Sequence, residues 1–188
     1  MRLFLASFLS LDNTNAYDSL VAGVGSDVPG TIRPVPSGTQ HLTIVFLGDV
    51  ADVHLPTCLH VLESVGGFDS LDITLSAPRI LFAGRSPRLV RVDLVSGSER
   101  VSGLQKYLHR ELSERLPTPI TPPKFPHITL ARFRKNANRA SARRVEESFS
   151  KRDRSSVPRT DHLTSVRLVK STLTPEGPIY ESVGVTGQ

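Results

Sequence analysis

Two short segments of the chain pair a histidine with a threonine two residues later: "QHLTIVFLG" at residues 40–48 and "FPHITLARF" at 125–133. Both continue as apolar, strand-like runs. In a strand, residues i and i+2 project from the same face, so His41 would stand beside Thr43 and His127 beside Thr129. Imidazole, whose ordinary pKa is near 6.5, exchanges a proton at neutral pH, and the neighbouring hydroxyl can donate a hydrogen bond to an anionic oxygen. That pairing suits cleavage of a phosphate ester. Displacement at phosphorus wants the attacking and leaving oxygens in line, with a base on one side of the phosphate and an acid on the other. One imidazole would protonate the leaving alkoxide, the other would take a proton from water, and the threonines would hold the non-bridging oxygens.

The two segments align residue by residue, His41 with His127, Leu42 with Ile128, Thr43 with Thr129 and Ile44 with Leu130, at a separation of 86 residues, about half the chain. This reads as an internal duplication. Two halves related by an approximate two-fold axis would bring both histidines to one cleft. A third His-x-Thr, His162-Leu163-Thr164 in "TDHLTSVRL", has unlike flanks and a polar approach. It reads as the start of an ordinary strand.

The elements that must carry these residues follow from periodicity. The spacing predicts a strand at 2–9, a helix over 13–24, a strand at 41–47 and a helix over 52–65. Strand-like runs follow in "LDITLSAPRILFA" and "LVRVDLV". "SERVSGLQKYLHRELSERL" is helical, with Val101, Leu104, Leu108 and Leu112 on one face. The breaker "PTPITPPKFP" leads into the second His-x-Thr strand. After it come a short Arg-rich helix over 138–149, a polar loop, and two closing strands, "LTSVRLVKSTL" and "IYESVGV". No linker divides the chain, so the expected architecture is one α+β domain over 1–188, bilobal, made of two interleaved lobes. Each lobe is an antiparallel sheet with packed helices, and the cleft lies between them.

Composition narrows the function classes. At 188 residues and 38% hydrophobic content the chain can bury a core. Its single cysteine, Cys58, excludes an intramolecular disulfide and a Cys-rich metal cage, and points to a reducing cytoplasm. The opening "MRLFLASFLSL" reads as a core strand rather than a signal peptide, and no apolar run reaches the length of a bilayer span. A cytoplasmic monomer without membrane contact is expected. The formal charge is +5, yet residues 132–159 alone hold ten Lys or Arg against three acids, leaving the rest of the chain at −2. A local basic surface suggests an anionic partner.

Taken together, "RLFLA", "RPVPSGTQHLTIVFLG", "FPHITLARF" and "STLTPEGPIY" resemble, over nearly the whole chain, the two-histidine (2H) phosphoesterases. Within these the likeness is to RNA 2′,3′-cyclic phosphodiesterases, also called 2′-5′ RNA ligase-like proteins. The resemblance implies metal-independent opening of a 2′,3′-cyclic phosphate to a 2′-phosphomonoester, with no cofactor. The substrate would be an RNA with a cyclic phosphate end or a small cyclic nucleotide. It makes His41 the proton donor, His127 the proton acceptor, and Thr43 and Thr129 phosphate-binding hydroxyls. It also places Arg132 five residues after the second histidine, with Phe46 in the equivalent slot of the first motif. An odd offset turns a side chain away from the histidine face under strict alternation, so each strand must end, twist or bulge. Without such a break Phe46 is core. Where relatives often carry an aromatic, this chain has Arg91, which weakens base stacking from that strand.

Rival chemistries find less support. A metal site would need ligands that are not grouped: His54, Cys58 and His60 lie on an ordinary amphipathic helix pattern, and Asp49 and Asp52 suit a turn and a helix start. "GSERVSG" lacks the Gly-Lys-Ser/Thr ending of a nucleotide-triphosphate cradle. A non-catalytic RNA-binding module could use Arg134, Lys135, Arg139, Arg143 and Arg144, but leaves the doubled motif unexplained. Reversible 2′-5′ ligation is the reverse reaction at the same site.

Overall fold

The computed structural model describes residues 1–65, 70–152, 157–175 and 177–186. The polar loop expected after the Arg-rich helix falls partly on 153–156, and Glu176 of the closing segment is likewise outside the described residues. In chain order the elements are β1 (Arg2–Phe8), α1 (Leu11–Asp27), β2 (Ile32–Pro34), β3 (His41–Asp49), α2 (Leu55–Ser64), β4 (Leu71–Leu75) and β5 (Arg79–Ala83). They continue with β6 (Ser86–Ser96), α3 (Ser98–Arg115), β7 (His127–Phe133), α4 (Arg139–Ser150), β8 (Thr160–Leu163), β9 (Arg167–Thr174) and β10 (Gly177–Val185).

The ten strands form one sheet, ordered β10-β9-β1-β3-β7-β6-β4-β8, with β2 on β7 and β5 on β6 as short additions. Every pairing is antiparallel. Along the main path β10, β9, β1 and β3 lie on one side of the β3–β7 seam and β7, β6, β4 and β8 on the other, with β2 and β5 added on the second side. The helices cross over: α1 and α4 pack together near β7, β5 and β6, while α2 and α3 pack together over β9, β10 and β3. Each half of the sheet is therefore covered by one helix from each half of the chain.

Local chemistry explains the elements. Ser10 caps α1 by accepting from the Asn13 N–H at 3.4 Å, and Tyr17, Leu20, Val21 and Val24 recur at helical spacing on its buried face. Asn138 caps α4 by accepting from the Ser141 N–H at 3.0 Å. The core fills the helix-covered face, where Leu42, Ile44, Leu108, Leu112, Ile128 and Leu130 are buried. The opposite, open face carries a small apolar group, Phe4, Ala6 and Val169, with Phe8 and Tyr180 against it.

Three element expectations are revised by the structure. The run 71–83 is two strands, because Ser76 leaves the ladder and its N–H donates to the Asp93 carbonyl at 2.8 Å. The run 163–173 is interrupted, ending as β8 at Leu163 and resuming as β9 at Arg167. The three-residue β2 has no counterpart in the periodicity. Its proline is admissible because β2 is an edge strand, paired only with β7.

Candidate active site

At the seam, Leu42 of β3 is paired with Ile128 of β7. Continuing that antiparallel register by one residue each way sets His41 opposite Thr129 and Thr43 opposite His127, all four on the open face. The two histidines then lie on a diagonal of the ladder, where neighbours are about 7–8 Å apart and their Cβ atoms somewhat closer. That leaves room for one phosphate group.

Both strands bulge at the same place in the motif. On β3, Val45 pairs with Leu5 and Thr43 with Ala6, leaving Ile44 without a partner on β1. On β7, Ala131 pairs with Val90 and Thr129 with Arg91, leaving Leu130 without a partner on β6. One extra residue resets the alternation. Burial follows it, with 42, 44, 45 and 47 buried on β3, and 128, 130 and 131 on β7. Phe46 and Arg132, at an offset of five, thereby return to the histidine face. Phe46 is 36% exposed, so the reading of it as core is corrected.

The bulges free carbonyls, and each finds a donor. Gln105 of α3, only 4% exposed, donates from Nε2 to the Thr43 carbonyl at 3.1 Å. The Val35 N–H donates to the Leu130 carbonyl at 3.1 Å, tying the proline-containing lead of the first motif to the second motif's strand.

Each imidazole is oriented alike. His41 Nδ1 lies 2.7 Å from the carbonyl of Thr39, and His127 Nδ1 lies 2.9 Å from the carbonyl of Phe125, in both cases the residue two positions earlier. A carbonyl only accepts, so Nδ1 carries the proton and Nε2 is left free for chemistry. The lead to His41 is itself braced: Thr39 Oγ1 donates to the Pro36 carbonyl at 2.6 Å, and Asp18 of α1 accepts from Ser37, Gly38 and Gln40.

Beyond this the two sites differ. His41 stands among aromatic rings, with centroids of Phe4 at 5.1 Å, Phe8 at 5.4 Å and Tyr180 edge-on at 5.4 Å. Burial pushes its pKa down, the Thr39 carbonyl opposes that, and the charges of Arg132 and His127 depress it further. His127 has a polar setting, standing opposite Asp93 in the ladder. Burial again lowers its pKa first, the Phe125 carbonyl opposes, Arg91 and Lys124 add to the lowering, and Asp93 counters it. Arg91 forms an ion pair with Asp93, Nε to Oδ1 at 2.9 Å, so its charge is already matched.

Two recesses open from the cleft. One, of about 350 Å³, holds His41, Thr43, Phe46 and Arg132 with Arg2, Arg33 and Tyr180. The other, of about 230 Å³, holds Thr43, Phe46 and His127 with Gln105, Pro122 and Phe125. An apolar hollow elsewhere, of about 220 Å³ between α4 and β5, contains none of these residues. The structure thus gathers His41, His127, Thr43, Thr129, Arg132 and Phe46 on one face. It leaves the third motif aside: His162 is near the end of the edge strand β8, bonded to Asp72 at 2.7 Å, and Thr164 lies beyond that strand. Cys58 is buried in α2. Among the described residues no three His, Cys, Asp or Glu side chains converge as metal ligands would, and no helix is long and apolar enough to cross a membrane.

Sequence reasoning assigns no role to Arg2, Arg33, Tyr180, Phe125 or Gln105. Arg2, Arg33 and Tyr180 sit inside the quoted segments "RLFLA", "RPVPSG" and "STLTPEGPIY", which is the one signal that could have drawn attention to them.

A duplicated His-x-Thr strand, with both copies on the open face of one antiparallel sheet, fits the resemblance drawn from the sequence. Comparison with known proteins agrees. The family described as "LigT like Phosphoesterase" matches residues 92–180. RNA 2′,3′-cyclic phosphodiesterase of Aquifex aeolicus is 24% identical over 191 residues, covering 97% of this chain and 95% of that protein. The protein of the same name from Aeropyrum pernix is 26% identical over 154 residues, covering 81% and 84%. A crystal structure from Thermus thermophilus is 26% identical with a TM-score of 0.71, covering 98% of this chain and 96% of that one. Escherichia coli LigT, solved with 3′-AMP, shares the fold at 19% identity and a TM-score of 0.70, covering 100% and 98%. The chain is thus similar to the LigT-like phosphoesterases over residues 92–180, and to two RNA 2′,3′-cyclic phosphodiesterases at 24% and 26% identity over most of its length.

Proposed function

We propose that this protein hydrolyses the 2′,3′-cyclic phosphate of an RNA end or a small nucleotide to a 2′-phosphomonoester, without a metal ion. The observation that carries this reading is the matched pair of imidazoles, each held through Nδ1 by the carbonyl two residues back, each with Nε2 free beside the same diagonal of the sheet.

In the reaction, water attacks phosphorus as His127 Nε2 takes its proton, and the bond from phosphorus to O3′ breaks as His41 Nε2–H protonates that oxygen. The next cycle starts once the two imidazoles have exchanged one proton with solvent. Each proton transfer contributes about 10²- to 10⁴-fold in rate. The hydroxyls of Thr43 and Thr129 donate to the non-bridging oxygens, and Arg132 adds a guanidinium fork. Phe46, exposed between the two recesses, packs beneath the terminal base.

The depressed pKa values fit the roles unequally. A neutral His127 at pH 7 is what a base needs, whereas His41 must be protonated to act as an acid. A phosphate anion placed between them supplies the opposite charge that raises His41 again, so the acid is armed by substrate binding. The test is to offer a short RNA with a 2′,3′-cyclic end and identify the product by phosphorus NMR. A 2′-phosphomonoester is expected. A 3′-phosphomonoester would reverse the leaving group, and no turnover would refute the reading.

A further inference from the structure

The recess beside His41 is more cationic than one phosphate requires. Arg33 of β2 stands directly opposite Arg132 of β7 in the ladder, with Pro34 opposite Ala131 and Ile32 opposite Phe133 on either side. Like charges in that position repel and destabilise a sheet. Some arginines of this protein are matched, as in the pairs Arg91–Asp93 beside His127 and Arg115–Glu111, Arg143–Glu147 and Arg152–Asp27 elsewhere. Among the described residues Arg33 and Arg132 form no ion pair. Arg2 joins them in the same recess. It stands opposite Asp49 in the β1–β3 ladder, yet makes no ion pair with it; its guanidinium lies over the Phe46 ring, 5.0 Å from the centroid. Among the described residues, neither cavity next to His41 that holds Arg33 and Arg132 has an Asp or Glu in its wall.

A cyclic phosphodiester carries a single negative charge. Two threonines, two imidazoles and Arg132 already address it. Arg2 and Arg33, which line the recess of His41 and not that of His127, are left without an anion to match.

We infer that Arg2 and Arg33 form a second phosphate site beside Arg132, so that the preferred substrate carries another phosphate besides the cyclic one. This rests on the phosphodiesterase reading for the identity of the first group, but not for the existence of the second. The shared chemistry is a phosphoryl oxyanion. It could come from the phosphodiester joining the terminal nucleotide to the rest of an RNA, or from a 5′-phosphomonoester on a mononucleotide.

Equilibrium titration of the full chain separates these cases. Three probes are used: adenosine 2′-phosphate, adenosine 2′,5′-bisphosphate, and the dinucleotide ApA bearing a terminal 2′-phosphate. At least one of the last two is expected to bind on the order of 10- to 100-fold more tightly than the first, and the advantage should shrink as salt rises. Whichever probe shows it identifies the source of the second phosphate. In Arg33→Gln and Arg2→Gln the ratio of affinities should fall towards one, whereas Arg33→Lys should keep part of it. Equal affinity for all three probes in the unsubstituted protein would overturn the inference, as would a ratio untouched by both Gln variants. Because the readout is binding, a protein that shows the increment and loses it in the variants, yet does not turn over a cyclic phosphate, would uphold this site while refuting the proposed reaction.

Discussion

Leu42 and Ile128 are ladder partners at the seam of the sheet, both fully buried, and theirs is the pairing through which the two halves meet. Their neighbours on the other face are the two histidines and the two threonines. Packing under the seam therefore sets the distance across which one phosphate must be shared.

Truncating that contact should loosen both fold and site. Ile128→Ala is expected to cost about 2–5 kcal/mol, measured by urea unfolding. Its kcat should fall even in the fraction that stays folded, since small misplacements of reacting groups are costly. Ile128→Val, at about 0.5–1.5 kcal/mol, should leave activity within a few-fold. An Ile128→Ala protein with unchanged stability would show that the seam is held elsewhere.

Gln105 acts on the site through the backbone. Gln105→Leu removes the donor to the Thr43 carbonyl and leaves a bulge carbonyl buried without a partner, a loss of about 1–3 kcal/mol. As a positioning residue it should affect kcat more than KM, because it sets where Thr43 points and not whether substrate enters. A change confined to thermal stability, with kcat intact, would reduce Gln105 to a packing role.

Acidity gives an independent check. Burial lowers the pKa of both His41 and His127, and Arg132 lowers His41 further. In the free enzyme the limbs of the kcat/KM profile should therefore both lie below the ordinary imidazole value near 6.5, with an optimum on the acid side of neutrality. In the kcat profile the limb belonging to His41 should move up, because the bound anion favours imidazolium. Stability has the corresponding sign. Between the lowered folded values and about 6.5, the unfolded chain binds more protons than the folded one, so stability rises with pH across that window. It is lost on acidification through the window and no longer changes from this source above it. Chemical denaturation across the window, repeated in His41→Gln and His127→Gln, should show the slope diminish in each variant. An unaltered slope would mean that neither histidine is held in its neutral form by the fold.

Much of the site could be read from sequence because its signal is duplicated. Two copies of His-x-Thr with matched apolar continuations define both strands, their common face and the pairing of the halves. The offset of Phe46 and Arg132 was legible only as a conflict with alternation. A bulge has no residue signature here, since Ile44 and Leu130 are ordinary core residues, so only the ladder shows where the extra residue falls. Arg33 was hidden for a different reason: β2 is three residues long, contains a proline, and acquires meaning only when it docks on β7 opposite Arg132. The aromatic surround of His41 comes from β1, the direct neighbour of β3, and from β10, far away in sequence and two strands further out past β9.

The most direct test of paired-imidazole catalysis is the hydrolysis rate of a 2′,3′-cyclic-ended RNA by the unsubstituted protein, His41→Ala and His127→Ala, each assayed with EDTA present. Each substitution should lower kcat by at least about 10²-fold, with the far-ultraviolet dichroism of the folded chain retained and the unsubstituted enzyme indifferent to EDTA. Substantial turnover by either alanine variant, or loss of the native activity to EDTA, would contradict the account.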